Sequence, residues 1–227
     1  MKIRNKIISL FASAAIIICA AATNVLAQAK NFAGPSLAVT GAFVGNNVDT
    51  QHRNGTAALN EPIANFGDND IAYGLDLAYA LSIDNNFLIG LGFTYTLNET
   101  KAGSFLGSIK FEAEDHQSLY IQPTYAFNNS FAAFAKLSYH QLDGQVKTTS
   151  AIALPLGGTI GANQSVKSEF DGIGYGFGVK GLINQNIYIQ AEIEYVDYDS
   201  EGGGRPTSVI QFTPETVSGK ISVGYKF

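Results

Sequence analysis

The chain is poor in cysteine. Its one thiol, Cys19, lies in an N-terminal stretch expected to be removed, so the remainder can form no intrachain disulfide and offers no thiol chemistry. It is short of positive charge as well. Three of its 14 Lys and Arg are Lys2, Arg4 and Lys6, so residues 28–227 carry 11 against 19 Asp and Glu, a formal net charge of −8. That balance makes nucleic acid an improbable partner. Past Ala22 no apolar run approaches the roughly 18 residues that a spanning helix needs. Histidine is scarce: His52 and His116 are expected in polar loops and His140 on a strand, which is ordinary composition for a structural protein.

What is present at the start of the chain is an export signature. A basic head, an apolar stretch from Ile7 to Ala22 and the small-residue exit Val25-Leu26-Ala27 ahead of Gln28 predict a secretory signal peptide over residues 1–27 and one domain over 28–227. Cys19 follows Ile18 where a lipoprotein site wants a small residue, so lipidation is not expected.

The last eleven residues alternate without a break. Val217, Gly219, Ile221, Val223, Tyr225 and Phe227 share one strand face, and Ser218, Lys220, Ser222, Gly224 and Lys226 share the other. Similar runs fall near residues 35–45, 70–82, 87–97, 117–127, 131–141, 172–181 and 187–195. Short Asn-rich turns near residues 84, 129 and 185 alternate with long polar connections near 46–69, 98–116, 142–170 and 197–214. Eight strands with this asymmetry predict an all-β fold: an antiparallel up-and-down transmembrane β-barrel with short periplasmic turns and long extracellular loops.

The polarity of the faces separates a membrane barrel from a soluble one. Tyr73, Leu75, Leu77, Tyr79 and Leu81 oppose Ala72, Gly74, Asp76, Ala78 and Ala80. An eight-stranded barrel has room inside only for the small and polar set, so the bulky set is expected to face lipid. Tyr95, Tyr125, Tyr139, Tyr175, Tyr195, Tyr225, Phe87, Phe131 and Phe227 are predicted near strand ends, where amphipathic rings suit the headgroup region. Pro123 removes a ladder donor within a strand, and a bulge or irregular register is expected there.

The stretch Gly172-Ile173-Gly174-Tyr175-Gly176-Phe177-Gly178-Val179, the following Ile189-Gln190-Ala191-Glu192-Ile193-Glu194-Tyr195 and the terminal Phe227 resemble the small outer-membrane β-barrel family that includes the OmpA transmembrane domain, OmpX and the opacity-type surface proteins. The resemblance implies residence in the outer membrane of a Gram-negative bacterium, among lipid and lipopolysaccharide. It also implies that Tyr225 and Phe227 act as an assembly signal read by the barrel-assembly machinery. No peptidoglycan-binding segment follows Phe227, so a wall-anchoring role is not implied.

In these registers Asp76, Gln122, Lys136, Lys180, Gln190, Glu192, Glu194 and Lys220 point inward with Lys226, and opposite charges there are expected to pair as a polar plug. Ser138 and His140 share that inner face, away from lipid and without an acidic orienter nearby in sequence, although another strand could supply one, and no catalytic residue is assigned. Asp197-Tyr198-Asp199-Ser200-Glu201-Gly202 begins like a calcium loop, but its twelfth position is Ser208, and neither a metal nor a cofactor is expected. Glu112, Glu114 and Asp115 could share divalent cations with lipopolysaccharide phosphates. Ile152, Leu154 and Leu156 form an apolar loop tip, a candidate contact with a host surface, a neighbouring cell or a second copy, or else a flap over the barrel mouth or part of an extended hairpin with Val166 and its neighbours. The sequence therefore predicts a monomeric, non-enzymatic envelope protein with a structural or surface-interaction role. A narrow porin is the alternative, and a lipid A-modifying enzyme stands further off.

Overall fold

Alternation of bulky and small side chains recurs along the chain, and in the structure it bends one sheet into a closed cylinder. The computed structural model describes residues 29–53, 60–105, 109–148, 152–153, 159–160, 163, 165–205 and 208–227. Eight antiparallel strands form the barrel: β1 (Gly34–Arg53), β2 (Asn60–Ser82), β3 (Phe87–Thr96), β4 (Ile109–Ala126), β5 (Phe131–Thr148), β6 (Ser165–Leu182), β7 (Ile187–Tyr198) and β8 (Ser208–Lys226). Each pairs with its sequence neighbours, and β1 pairs with β8 from Ser36↔Lys226 to Arg53↔Val209. Across the spanning section closure leaves no edge unpaired, which a backbone in hydrocarbon requires.

Bulky apolar side chains lie outside. Val39, Phe43, Leu77, Leu119 and Ile221 are all more than half exposed, whereas Ala38, Ala42, Ser118, Tyr120, Ser218 and Ser222 on the alternate positions are buried. At the periplasmic end Tyr125 packs on Phe127, Phe127 on Phe131, and Tyr225 on Phe227. Tyr139, Tyr175 and Tyr195 lie inside their strands rather than at the ends, because β5 runs on to Thr148, β6 starts at Ser165 and β7 reaches Tyr198.

That extension turns much of the four long polar connections into paired strand. The ladder between β1 and β2 continues to Arg53↔Asn60, that between β5 and β6 to Lys147↔Ser165, and short strands at Thr100–Phe105 and Glu201–Arg205 pair with β4 and β8. The connections stand above the membrane as paired hairpins. An interior apolar cluster of Val48, Phe111, Leu142, Phe170, Val196 and Tyr198, with Phe66 and Phe212 against it, gives this extension a core of its own. The Gly- and Asn-rich composition of these segments concealed an inward apolar face. Leu154 and Leu156 lie outside the described residues, and Ile152 enters only through a two-residue ladder with 159–160.

Pro123 does not break the register. Ile89 pairs with Pro123, and the β4–β5 ladder passes from Ile121↔Leu137 to Thr124↔Phe134 in one unshifted register. The imide removes one donor and the flanking bonds hold the alignment. The bulge falls instead between Glu114 and Gln117, where Asp115 adopts φ 45°. An extra residue there reverses the alternation of β4, so that Phe111 and Ala113 point inward above it and Ser118, Tyr120, Gln122 and Thr124 point inward below it.

At the periplasmic end a single 3₁₀ turn, Ala29–Phe32, crosses the mouth. Ala29 and Phe32 are buried against Leu88, Ala126 and Ala132. Ala29 N–H donates to Asn85 O at 2.7 Å and Asn31 Nδ2 to Asn129 O at 3.2 Å, tying the turn to two of the periplasmic hairpins.

Candidate functional site

The lumen between the aromatic cluster and the Phe32 turn holds the chemistry. At mid-height Lys136 of β5 and Lys220 of β8 reach across to Glu192 and Glu194 of β7. Lys136 Nζ stands 3.0 Å from Glu192 Oε1 and 3.5 Å from Glu194 Oε1. Lys220 Nζ stands 3.3 Å from Glu192 Oε1 and also pairs with Glu194. The side chains of Lys136, Glu192 and Glu194 are 2%, 4% and 1% exposed, so these charges are held by one another rather than by water. Gln190 Nε2 donates to Glu192 Oε2 at 3.3 Å. Tyr120 donates to both oxygens of Asp76, at 2.9 and 3.0 Å, and its ring lies 4.4 Å beneath Lys136 Nζ. Gln122 contacts Thr124, and Lys180 sits 4.5 Å over the Tyr188 ring, lower in the lumen than the four-charge cluster.

Above this layer runs a chain of hydrogen bonds whose upper half the sequence did not indicate. His116 is not in a loop: the bulge at Asp115 turns it into the lumen, where it stacks on His140 with ring centroids 5.0 Å apart. His52 likewise belongs to the backbone of β1. Thr96 Oγ1 lies 3.3 Å from His116 Nδ1, His116 Nε2 lies 2.8 Å from His140 Nδ1, and His140 Nε2 lies 2.8 Å from Ser138 Oγ. Ser138 Oγ donates to Glu194 Oε1 at 2.6 Å. One assignment of ring protons satisfies every link: each group donates to the next, and the sequence of donors ends on the Glu194 carboxylate. Glu194 is thus the acidic partner of the Ser138–His140 pair, brought from a strand distant in sequence. No sequence signal marks the bulge, because Phe111, Ala113, Leu119 and Ile121 keep the same odd-numbered apolar alternation on both sides of it, and only the structure shows the first two facing the lumen and the last two facing out.

Two small cavities flank the charged layer. The upper one, about 60 Å³, is lined by Thr40, Thr96, His116, His140, Tyr198 and Lys220 among others; the lower one, about 20 Å³, lies beneath Tyr120 and Gln122. Outside the membrane, Lys147 pairs with Glu112, and Lys167 Nζ with Glu114 Oε2 at 2.6 Å; each carboxylate holds its ammonium above the usual lysine range. Glu99, Glu112 and Glu114 bring carboxylate oxygens within 4.8 Å of one another, but the two lysines already engage Glu112 and Glu114. The stretch that begins like a calcium loop turns at Asp199 and Ser200 into the short strand Glu201–Arg205.

Residues 11–227 match the family model described as outer membrane protein beta-barrel domain. The chain belongs to that family. It is an outer-membrane β-barrel of a Gram-negative bacterium, set in lipid. Among solved structures, the outer membrane protein OprG from Pseudomonas aeruginosa superposes with a TM-score of 0.52 at 12% identity, covering 90% of this chain and 99% of that one. Ail, the attachment invasion locus protein of Yersinia pestis, gives 0.47 at 15% identity over 86% and 99%. The outer membrane protease OmpT from Escherichia coli gives 0.43 at 8% identity over 86% and 97%. At these identities the likeness to OprG is one of fold alone. No curated protein matches the sequence.

Proposed function

We propose that this barrel is a closed, non-enzymatic envelope protein that stabilises the outer membrane and presents its extracellular hairpins for surface contacts. The observation that carries the reading is the layering of the lumen: an aromatic cluster, the Lys136–Glu192–Glu194–Lys220 layer and the Phe32 turn follow one another, with cavities of only about 60 and 20 Å³ between them. A solute path would have to break all three. Planar-bilayer recording tests it: the wild-type barrel stays at baseline, and Phe111→Ala alone leaves it there because two further layers remain. Reproducible open steps from the wild type would replace this reading with the narrow porin.

Catalysis is disfavoured by burial. Ser138 and His140 are 2% and 1% exposed and face Glu194 rather than lipid, so a lipid substrate has no approach to them. Lipid A mass spectra of cells with and without the protein are expected to coincide. Residues 1–27 serve as the removed signal peptide, and Tyr225 and Phe227 as the assembly signal. Deleting Phe227 should weaken the heat-modifiable band of outer-membrane preparations; an undiminished band would remove that role. The closed sheet supports a monomer, with lipopolysaccharide and an external surface as its contacts.

A further inference from the structure

The lower cavity has an unbalanced charge. It has about 20 Å³ of room, close to what a single water or small ion occupies. Its polar lining includes Ser36, Gln122, Thr124, Tyr188, Lys180 and Lys226, and no Asp or Glu is among the lining residues. Phe32 and Leu88 close it toward the periplasm.

Lys180 differs from the two lysines above it. Lys136 and Lys220 each reach two carboxylates, whereas among the described residues no carboxylate oxygen comes within ion-pair distance of Lys180 Nζ, which has only the Tyr188 ring face at 4.5 Å. Asp76 is already engaged by Tyr120 on both oxygens and by Thr94 at 3.0 Å. Among the described lumen residues of the spanning section, Lys136, Lys180, Lys220 and Lys226 face the carboxylates of Asp76, Glu192 and Glu194, an excess of one positive charge. Buried charges in proteins are paired, and Lys180, half-buried in the lumen without a counter-charge, is disfavoured in the same way.

We propose that this cavity binds one small monovalent inorganic anion, chloride under ordinary conditions, between Lys180 of β6 and Lys226 of β8. The ion balances the lumen and ties together the two strands that flank β7 at the periplasmic mouth. Its volume excludes organic anions and oxyanions such as sulfate.

Two measurements test this. Crystals of the full barrel grown in sodium bromide should show an anomalous peak in the cavity beside Lys180; a cavity without one overturns the proposal. Urea unfolding in detergent, compared in sodium chloride and sodium gluconate at equal ionic strength, should favour chloride. With the halide at about ten times its dissociation constant the folded-to-unfolded ratio rises about tenfold. In Lys180→Met that difference should vanish. A Lys180→Met barrel that keeps the chloride preference, or a wild type indifferent to the anion, rules the site out. The bromide map requires only the wild type, so the proposal stays testable should the variant fail to fold.

Discussion

Glu194→Gln is the most informative single change in the barrel. The carboxylate is 1% exposed and serves four partners: Lys220, Lys136 at 3.5 Å, the Ser138 hydroxyl at 2.6 Å and His140 at 3.3 Å. Gln preserves shape and volume, so packing is almost unchanged and the effect is electrostatic. After the change Lys136 and Lys220 both depend on Glu192, at 3.0 and 3.3 Å, and one carboxylate must hold two ammonium groups. Removing one partner from a buried ion pair costs about 3–5 kcal/mol, and two orphaned contacts place this case in the upper half of that range. Equilibrium urea unfolding in detergent, followed by heat-modifiable gel mobility and tyrosine fluorescence, measures it. Adding Lys220→Met to Glu194→Gln removes the excess cation and leaves a balanced Lys136–Glu192 pair, so the double variant should recover more than about 2 kcal/mol. A single variant within about 1 kcal/mol of wild type, or a second substitution that destabilises further, would refute a buried, mutually neutralised four-charge layer.

Two further outcomes follow from the same geometry. A Cβ added at Gly92 would lie 2.2 Å from the Tyr120 ring, which Asp76 and Lys136 hold in place, so Gly92→Ala should cost about 1–3 kcal/mol in urea unfolding. A Cβ at lipid-facing Gly41 meets nothing within 4 Å, and Gly41→Ala should stay within about 0.5 kcal/mol; equal effects at the two positions would contradict the inside–outside assignment. Hydrogen bonds from Lys147 to Glu112 and from Lys167 to Glu114 raise both lysines, so their stabilisation of the extracellular hairpins is complete below the unfolded value of about 10.4 and is lost as pH rises through the folded values. Cleavage of these hairpins by an alkali-tolerant protease should accelerate in that alkaline window, and Lys147→Met/Lys167→Met should flatten the dependence.

The spanning section was legible because lipid imposes one rule on every residue it touches. Leu75, Leu77, Tyr79 and Leu81 read as outward and Asp76 and Ala78 as inward without knowledge of a partner strand, and the structure has them so. Above the membrane that rule lapses. Glycines and asparagines between Asn46 and Asn69 resemble a loop, yet the ladder continues because Phe66, Phe111, Phe170 and Phe212, far apart in sequence, meet inside it. Pro123 shows the reverse: a residue that breaks strands locally is held in register by neighbours on both sides.

By itself the sequence determined that the chain is a membrane barrel and which strand faces of the spanning section turn inward, since strand alternation is a local property read at two-residue intervals. Only the tertiary structure decided what those side chains meet. It placed Glu194 against Ser138 and His140, turned His116 inward through one extra residue at Asp115, and left Lys180 over an aromatic ring instead of a carboxylate. The physical reason is that pairing across a lumen depends on the stagger of all eight strands at once, and a bulge in one strand resets every side chain beyond it.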